Sequence, residues 1–419
     1  MTKINDILCG IILPITLLGA GIYFAIKLRF FYLFKPIKTL KTMLFSKGGF
    51  PSLCIALAGT LGIGNIVGVS SAIIGGGYGS IFWMWVSAFL AMSLKYTEVV
   101  LAMRHRKKTG GKYHGGAPYY IYEGFKGKLG TRLAFILGAS FGALCALNSL
   151  STGNLVQTNA VSNILPIPKL IFGIIFALLS FLVVCRGIKR IEKFTSVLMP
   201  ILSVVYILLC LFVLIKNVRE IPTAFYTIFK EAFKIKSAFY GTLGYGITRA
   251  MRFGICRGLL SNEAGCGTSP CAHASSSSEN AHAQGCLGVF EVFFDTIVLC
   301  TLTALVIIVS AQNTALSPLS LVVSSFELHL GVFGKYAVLI SCLLFAFATV
   351  VTQYFYGVES LKFISKSKKL KHIFSITFFI VTVFSAVISS SIMWEISDFI
   401  LAIMTVFNVI CLLFLRKEI

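Results

Sequence analysis

Charge is what this sequence has least of: Asp, Glu, Lys and Arg together make up 12% of its 419 residues. Soluble domains carry about 25%, so an ordinary water-soluble globule is excluded. Acidic residues are scarcer still, 15 against 37 Lys and Arg, which leaves a formal charge of +22. A surplus of that sign raises nucleic acid as a partner, because basic patches hold phosphate. The basic residues, however, sit in short clusters between apolar runs, the pattern that orients membrane spans, and nucleic acid is set aside. Also lacking are a G-x-x-x-x-G-K-[ST] phosphate loop, an H-E-x-x-H zinc signature and a spaced cysteine framework. ATP as the energy source, a resident metal or cofactor, and a disulfide-stapled secreted fold therefore have no support. The 12 cysteines lie mostly inside apolar runs (Cys9, Cys54, Cys145, Cys185, Cys210, Cys300, Cys342) and read as small buried hydrophobes.

What is there is hydrophobic: 57% of the residues, with a mean hydropathy of +0.89. Apolar runs near 20 residues match helices crossing about 30 Å of hydrocarbon. The fold class is an all-α polytopic membrane protein with about eleven spans. They centre near residues 7–28, 52–75, 80–103, 133–162, 168–185, 195–215, 239–275, 284–310, 335–357, 371–393 and 396–415. The first run, with Lys3 ahead and Pro14 inside, reads as a retained span rather than a cleaved leader. Residues 217–237 read as an amphipathic surface helix, and no break is long enough to fold alone, so 1–419 forms one transmembrane domain.

Loop charge alternates from side to side. One side receives Lys27, Arg29, Lys35, Lys38, Lys41 and Lys47, then the basic clusters at 104–108, 112 and 126–132. It also receives Arg186, Lys189, Arg190 and Lys193, the lysines between 362 and 371, and Arg416 with Lys417. The other side has little beyond Lys169, Lys335 and the exceptional cluster Lys216, Arg219, Lys230, Lys234 and Lys236. This predicts a cell-membrane protein, bacterial inner membrane in type, with its N-terminus outside and its C-terminus inside.

Two runs break the rules for a membrane helix. ALAGTLGIGNIVGVS (56–70) crowds Gly59, Gly62, Gly64 and Gly68 around Thr60 and Asn65. Each glycine costs a helix about 1 kcal/mol relative to alanine. A helix broken in lipid is tolerated where it lines a cavity, and its freed N–H and C=O groups can hold a carboxylate and a cation. The bland alternative is a packing seam, Gly64-x-x-x-Gly68. The spacing fails G-x-G-x-x-G, which removes a dinucleotide site. The second interruption, RGLLSNEAGCGTSPCAHASSSSEN (257–280), tips the balance. Paired breaks, one early and one mid-chain, point to inverted repeats: 51–216 and 217–419, each opening on its broken helix, with 1–50 as an extra helix and loop.

With these residues in view, the chain resembles the alanine/glycine:cation symporter family. The resemblance rests on GTLGIGNIVGVSSAIIGGGYGSIFWMW, GGAPYYI, GNLVQTNA, RGLLSNEAGCGTSPCAHA and FFDTIVLCTLTALVI. It implies a leucine-transporter-like core of five plus five spans. It also implies uptake of alanine or glycine, D-alanine among them, with sodium. Carried across by position, Gly62, Ile63, Gly64, Asn65, Asn154, Gln157, Ser261, Asn262 and Gln353 would meet the substrate. Thr60, Gly62, Asn65, Ala264, Gly265 and Thr349 would meet the cation, and Glu263 and Asp295 would be gating or structural charges. The chain departs from the family at Ile63, where a threonine is usual, at Ala348 beside Thr349, and at Gln353, where a tryptophan is usual. A lost hydroxyl and a lost aromatic leave proton coupling, or a different amino acid, open.

Other polar groups in the spans have plainer readings. Lys95 and Glu98 read as a pair on one helix near its end, with the lysine snorkelling to the interface. Asp295 lies deeper, either as a structural partner or as a gating or ion group. Arg249 and Arg252 line an outer vestibule or anchor the interface. Cys266-x₄-Cys271 with His273 and His282 misses zinc spacing, so the histidines read as helix-end hydrogen bonders. A membrane enzyme using Glu263, His273 or Asp295, or a passive channel, are the rivals. Neither explains two interrupted helices. Oligomeric state has no signal.

Overall fold

In hydrocarbon, peptide groups find no water, so runs this apolar pair them internally as helices. The computed structural model describes residues 2–44, 48–163, 165, 167–185, 187–233, 245–311 and 315–419. In chain order come α1 (Ile4–Lys27), α2 (Pro36–Leu44), α3 (Gly49–Thr60), α4 (Val67–Gly76) and α5 (Ser80–Arg104). A hairpin of β1 (Lys107–Thr109) and β2 (Lys112–His114) precedes α6 (Ala117–Ser162), α7 (Lys169–Val184), α8 (Ile188–Lys216) and α9 (Ile221–Ala232). The second half holds α10 (Tyr245–Asn262), α11 (Pro270–Ala274), α12 (Ala281–Val309), α13 (Pro318–Ile364), α14 (Lys368–Ser385) and α15 (Ser390–Phe414). Among the described residues, 7 of these (α1, α5, α6, α8, α12, α13, α15) are long and apolar enough to cross a membrane unaided.

Several boundaries differ from expectation. α6 and α13 begin at 117 and 318, before the expected 133 and 335. Each is broken, within four residues of the expected start, at a glycine with positive φ, Gly130 (79°) and Gly331 (61°), conformations that a Cβ would disfavour. The expected surface helix 217–237 is α9, and its last residues lie outside the described ones, as do Lys47, Arg186, Lys234, Lys236 and the start of the seventh run.

Side-chain spacing sorts helices by layer. On α7, Phe172, Phe176, Ser180 and Val184 recur every fourth residue and are buried, while Ile174, Ile175, Leu178 and Leu182 face outward. Such a helix is half in contact with protein and half with lipid. α10 packs along α4 and α5 near the centre, and α3 lies against α8 and α13. The chain ends sit at opposite ends of the bundle. Asn5 donates to the Glu395 carbonyl in the first turns of α15, and Asp6 pairs with Arg252 at 2.6 Å. Glu418, beyond the last turn of α15, pairs with His105 at 2.7 Å.

Candidate functional site

The first break runs from Leu61 to Ile66, between α3 and α4. Leu61 leaves the helical region (φ −74°, ψ 77°), Gly62 is extended (φ −118°, ψ −147°), and Ile63–Asn65 make one tight turn. The backbone loses its helical partners here, and one loss is made good from another helix: Ile63 N donates to Gln157 Oε1 of α6 at 2.9 Å. Gly62 is required at this point. A Cβ on it would lie 2.6 Å from both Gln157 Oε1 and Thr349 Oγ1 of α13.

The second break, 263–269, follows α10. Asn262 closes the helix by accepting from Ala264 N at 3.0 Å, and Glu263 sits at φ 48°, a left-handed conformation that stores strain in a residue other than glycine. Its carboxylate accepts from Thr268 Oγ1 at 2.5 Å and from Gln353 Nε2 at 2.7 Å. Every side chain named here is at most 5% exposed.

The two breaks face each other. A Cβ on Gly64 would lie 2.9 Å from Ser261 Cα, so the two main chains approach as closely as glycine permits. Asp295, on a π-helical stretch of α12, ties them together. Its Oδ1 accepts from Asn65 Nδ2 (2.7 Å), and its Oδ2 accepts from Ser261 Oγ (2.8 Å) and Thr296 Oγ1 (2.7 Å). Asn262 Nδ2 donates to Thr296 Oγ1 at 3.0 Å, which adds a second strand to the same knot. A buried carboxylate is costly unless hydrogen-bonded or paired, and this one is satisfied wholly by neutral donors, one from each break and one from its own helix. Asn65 Oδ1 is buried with no partner among the described residues.

The structure thus brings together Gly62, Ile63, Gly64, Asn65, Gln157, Ser261, Asn262, Glu263, Asp295, Thr349 and Gln353. The other expected site residues make contacts of their own in this structure. Asn154 turns its amide to α14, donating to Phe378 O and Thr382 Oγ1, both at 2.9 Å. The Thr60 hydroxyl bonds back to the Ala56 carbonyl of its own helix at 3.2 Å. The Gly265 carbonyl is taken by Asn408 Nδ2 at 2.9 Å, and the Ala264 N–H by Asn262. Thr349 Oγ1 donates to the Leu61 carbonyl at 3.5 Å, so its contact at the first break is a main-chain oxygen that composition could not single out.

Lys95 corrects an expectation. It does not snorkel and does not pair within its helix: it is fully buried, donating to Ser269 Oγ of the second break (2.8 Å) and to Glu291 Oε1 of α12 (3.1 Å). Glu291 Oε2 also meets His273 Nε2 at 3.2 Å, and His273 Nδ1 meets Gln284 Oε1 at 2.9 Å. His273 is therefore fully buried in a charge cluster, not at a solvated helix end. Glu98 turns away, accepting from Asn408 of α15. Glu291 escaped sequence reading because Glu98, one turn along the same helix, already offered Lys95 a partner. Arg252 meets Asp6 at the bundle's end, and Arg249 is exposed.

A cavity of about 410 Å³ opens between α3 and α13, lined by Ser52, Ile55, Tyr354 and Phe355. Its mouth carries Lys108, Lys112, Lys189, Lys362 and Lys371, at the end of the bundle where α5 finishes and Glu418 lies. Thr349 is about 7.5 Å deeper along α13 than Tyr354, at 1.5 Å per residue.

Membrane-length helices around two facing breaks, with bare peptide groups and one carboxylate between them, form a secondary transporter of the leucine-transporter-like class. The backbone matches MhsT solved with L-phenylalanine, at a TM-score of 0.58 and 14% identity over 88% of each chain. The model of the sodium:alanine symporter family matches residues 1–419, and the chain belongs to that family. It is 35% identical to the sodium/alanine symporter AgcS of Methanococcus maripaludis, over 99% of this chain and 94% of that one. It is 32% identical to the probable sodium/glutamine symporter GlnT of Bacillus subtilis, over 99% and 87%. The chain is therefore a multi-pass membrane symporter coupling an amino acid to sodium, and not an enzyme.

Proposed function

We propose that this symporter carries a neutral amino acid into the cell by alternating access, binding it with sodium between Gly62–Asn65 and Ser261–Glu263. Broken helices supply N–H groups for the substrate carboxylate at 62–65. Carbonyl and hydroxyl oxygens for the cation come from Leu61, Thr349 and Asn65. α3 with α4, and α10 with α11, each count as one interrupted span. With α7 and α14 this makes about eleven spans, in repeats 51–216 and 217–419 of one domain, with 1–50 outside them. The lysine-rich mouth of the cavity marks the cytoplasmic side, which puts the N-terminus out and the C-terminus in, in a bacterial inner membrane. The observation that carries this reading is Asp295, hydrogen-bonded to Asn65 of one break and Ser261 of the other: a rearrangement of either break is felt by both.

A second reading, in which a proton accompanies sodium, is favoured by Glu98, Glu263 and Asp295. All three are buried carboxylates with no cation at ion-pair distance among the described residues. Uptake of labelled alanine, glycine and D-alanine into proteoliposomes, with sodium and proton gradients imposed separately, tests both. Sodium-driven accumulation supports the first reading and proton-driven accumulation the second. Gradient-independent equilibration would end both.

A further inference from the structure

The contact between Gln353 and Glu263 carries an inference that rests on the symport reading and specifies its cargo. Gln353 is 1% exposed and lies one helical turn from Thr349 on α13, so both point at the breaks. Its Nε2 donates to Glu263 Oε1 at 2.7 Å. With Glu263 ionised, its carboxylate only accepts hydrogen bonds, so this contact sets the amide nitrogen toward Glu263 and turns Gln353 Oε1 away from it. That oxygen is buried and has no partner among the described residues. Nor is the side chain free to swing. Gly153, in the π-helical turn of α6, lies directly beneath it, and a Cβ there would collide with Gln353 Cβ and Cγ. A buried amide oxygen held in this way, with no protein partner among the described residues, is open to a donor that arrives with the cargo.

We propose that Gln353 Oε1 receives an N–H or O–H from the cargo's side chain, making the preferred cargo a hydroxyl- or amide-bearing amino acid such as serine, threonine, asparagine or glutamine rather than alanine or glycine. Glu263 is the positioning residue that aims the amide. Gly153 keeps the space in which the amide stands. A site built around one such hydrogen bond penalises a substrate that lacks the donor, because the protein oxygen then stays unpaired in the complex.

The test uses the purified full-length protein in proteoliposomes with an imposed sodium gradient. Initial uptake rates give kcat/KM for labelled serine, asparagine, glutamine, alanine and glycine, for the wild type and for Gln353→Met. The wild type is expected to favour at least one donor-bearing amino acid over alanine by about tenfold, and Gln353→Met to erase that ratio. An equal fall for all five amino acids would assign Gln353 to the shared amino group and overturn the proposal. A wild-type preference for alanine or glycine, or a ratio untouched by the substitution, would overturn it too. If Gln353→Met does not reach the membrane folded, thermal stabilisation of the wild type by each amino acid with sodium gives the ranking alone. Stronger stabilisation by alanine then refutes it. Uptake of none of the five would instead remove the symport reading itself.

Discussion

Asp295→Asn separates the two jobs that the bridge between the breaks performs. The amide is the same size as the carboxylate. Its oxygen can keep the bond from Asn65, and its NH₂ can donate to the hydroxyls of Ser261 and Thr296, which rotate to accept. Three charge-assisted hydrogen bonds become neutral ones, a loss of about 1 kcal/mol each, but the desolvation cost of a buried charge disappears as well, so stability is expected to hold. The charge itself is what goes. A cation at the unpartnered Asn65 Oδ1 lies roughly 4–8 Å from a carboxylate bound to the other end of that amide. At an effective dielectric constant near 20, the attraction lost is about 2–4 kcal/mol, or roughly 30- to 1000-fold in sodium affinity. The assay is the sodium dependence of initial uptake in proteoliposomes, read beside a thermal melt in detergent. The expected result is an unchanged melt and a half-saturating sodium concentration raised at least about 30-fold. Sodium dependence matching the wild type would refute the idea that Asp295 provides the counter-charge. A collapsed melt would show it to be structural.

Gly64→Ala inserts a methyl 2.9 Å from Ser261 Cα, against main chain that cannot yield. Uptake should fall below about a tenth of wild type, and overpacking should cost about 1–3 kcal/mol in a denaturation assay. Asn262→Ala removes both the acceptor for Ala264 N and the donor to Thr296; uptake should be abolished while the protein remains in the membrane, and normal transport would take the second break out of the site. Lys95→Met strands Glu291 with only His273 and should destabilise by about 3–5 kcal/mol, whereas adding Glu291→Gln should recover much of that. A double-mutant cycle showing strict additivity would dissolve the pair.

The breaks were legible because they are local. Glycines, an asparagine and a serine–asparagine–glutamate run inside apolar segments contradict helix formation in lipid on their own, and both interruptions stand where that contradiction is greatest, at 61–66 and 263–269. The partners were legible only where a motif brought them along. Gln157, expected to face the substrate, accepts from Ile63 N of the first break. Asn154, three residues earlier and inside the π-helical turn 151–155, turns to α14, because the wider turn of a π-helix rotates successive side chains away from α-helical spacing. Lys95 was misread for a different reason. Helical spacing offers Glu98 as its neighbour, but in a bundle the choice of partner is made by which helix packs alongside. α12 packs on α5 and presents Glu291 there.

That difference bears on how the two halves communicate. α12 carries both Glu291 and Asp295, four residues and about one turn apart. Through Glu291 it holds Lys95, which in turn holds Ser269 at the far end of the second break. Through Asp295 it holds Asn65 of the first break and Ser261 at the near end of the second. One face of one helix therefore grips three points on two broken strands. A ligand that shifts Asn65 or Ser261 in the proposed site would load α12, because Asp295 already holds both side chains. The coupling between the sites is then a matter of packed, fully buried hydrogen bonds with few alternative arrangements, the condition under which a small local shift is passed on whole and not absorbed.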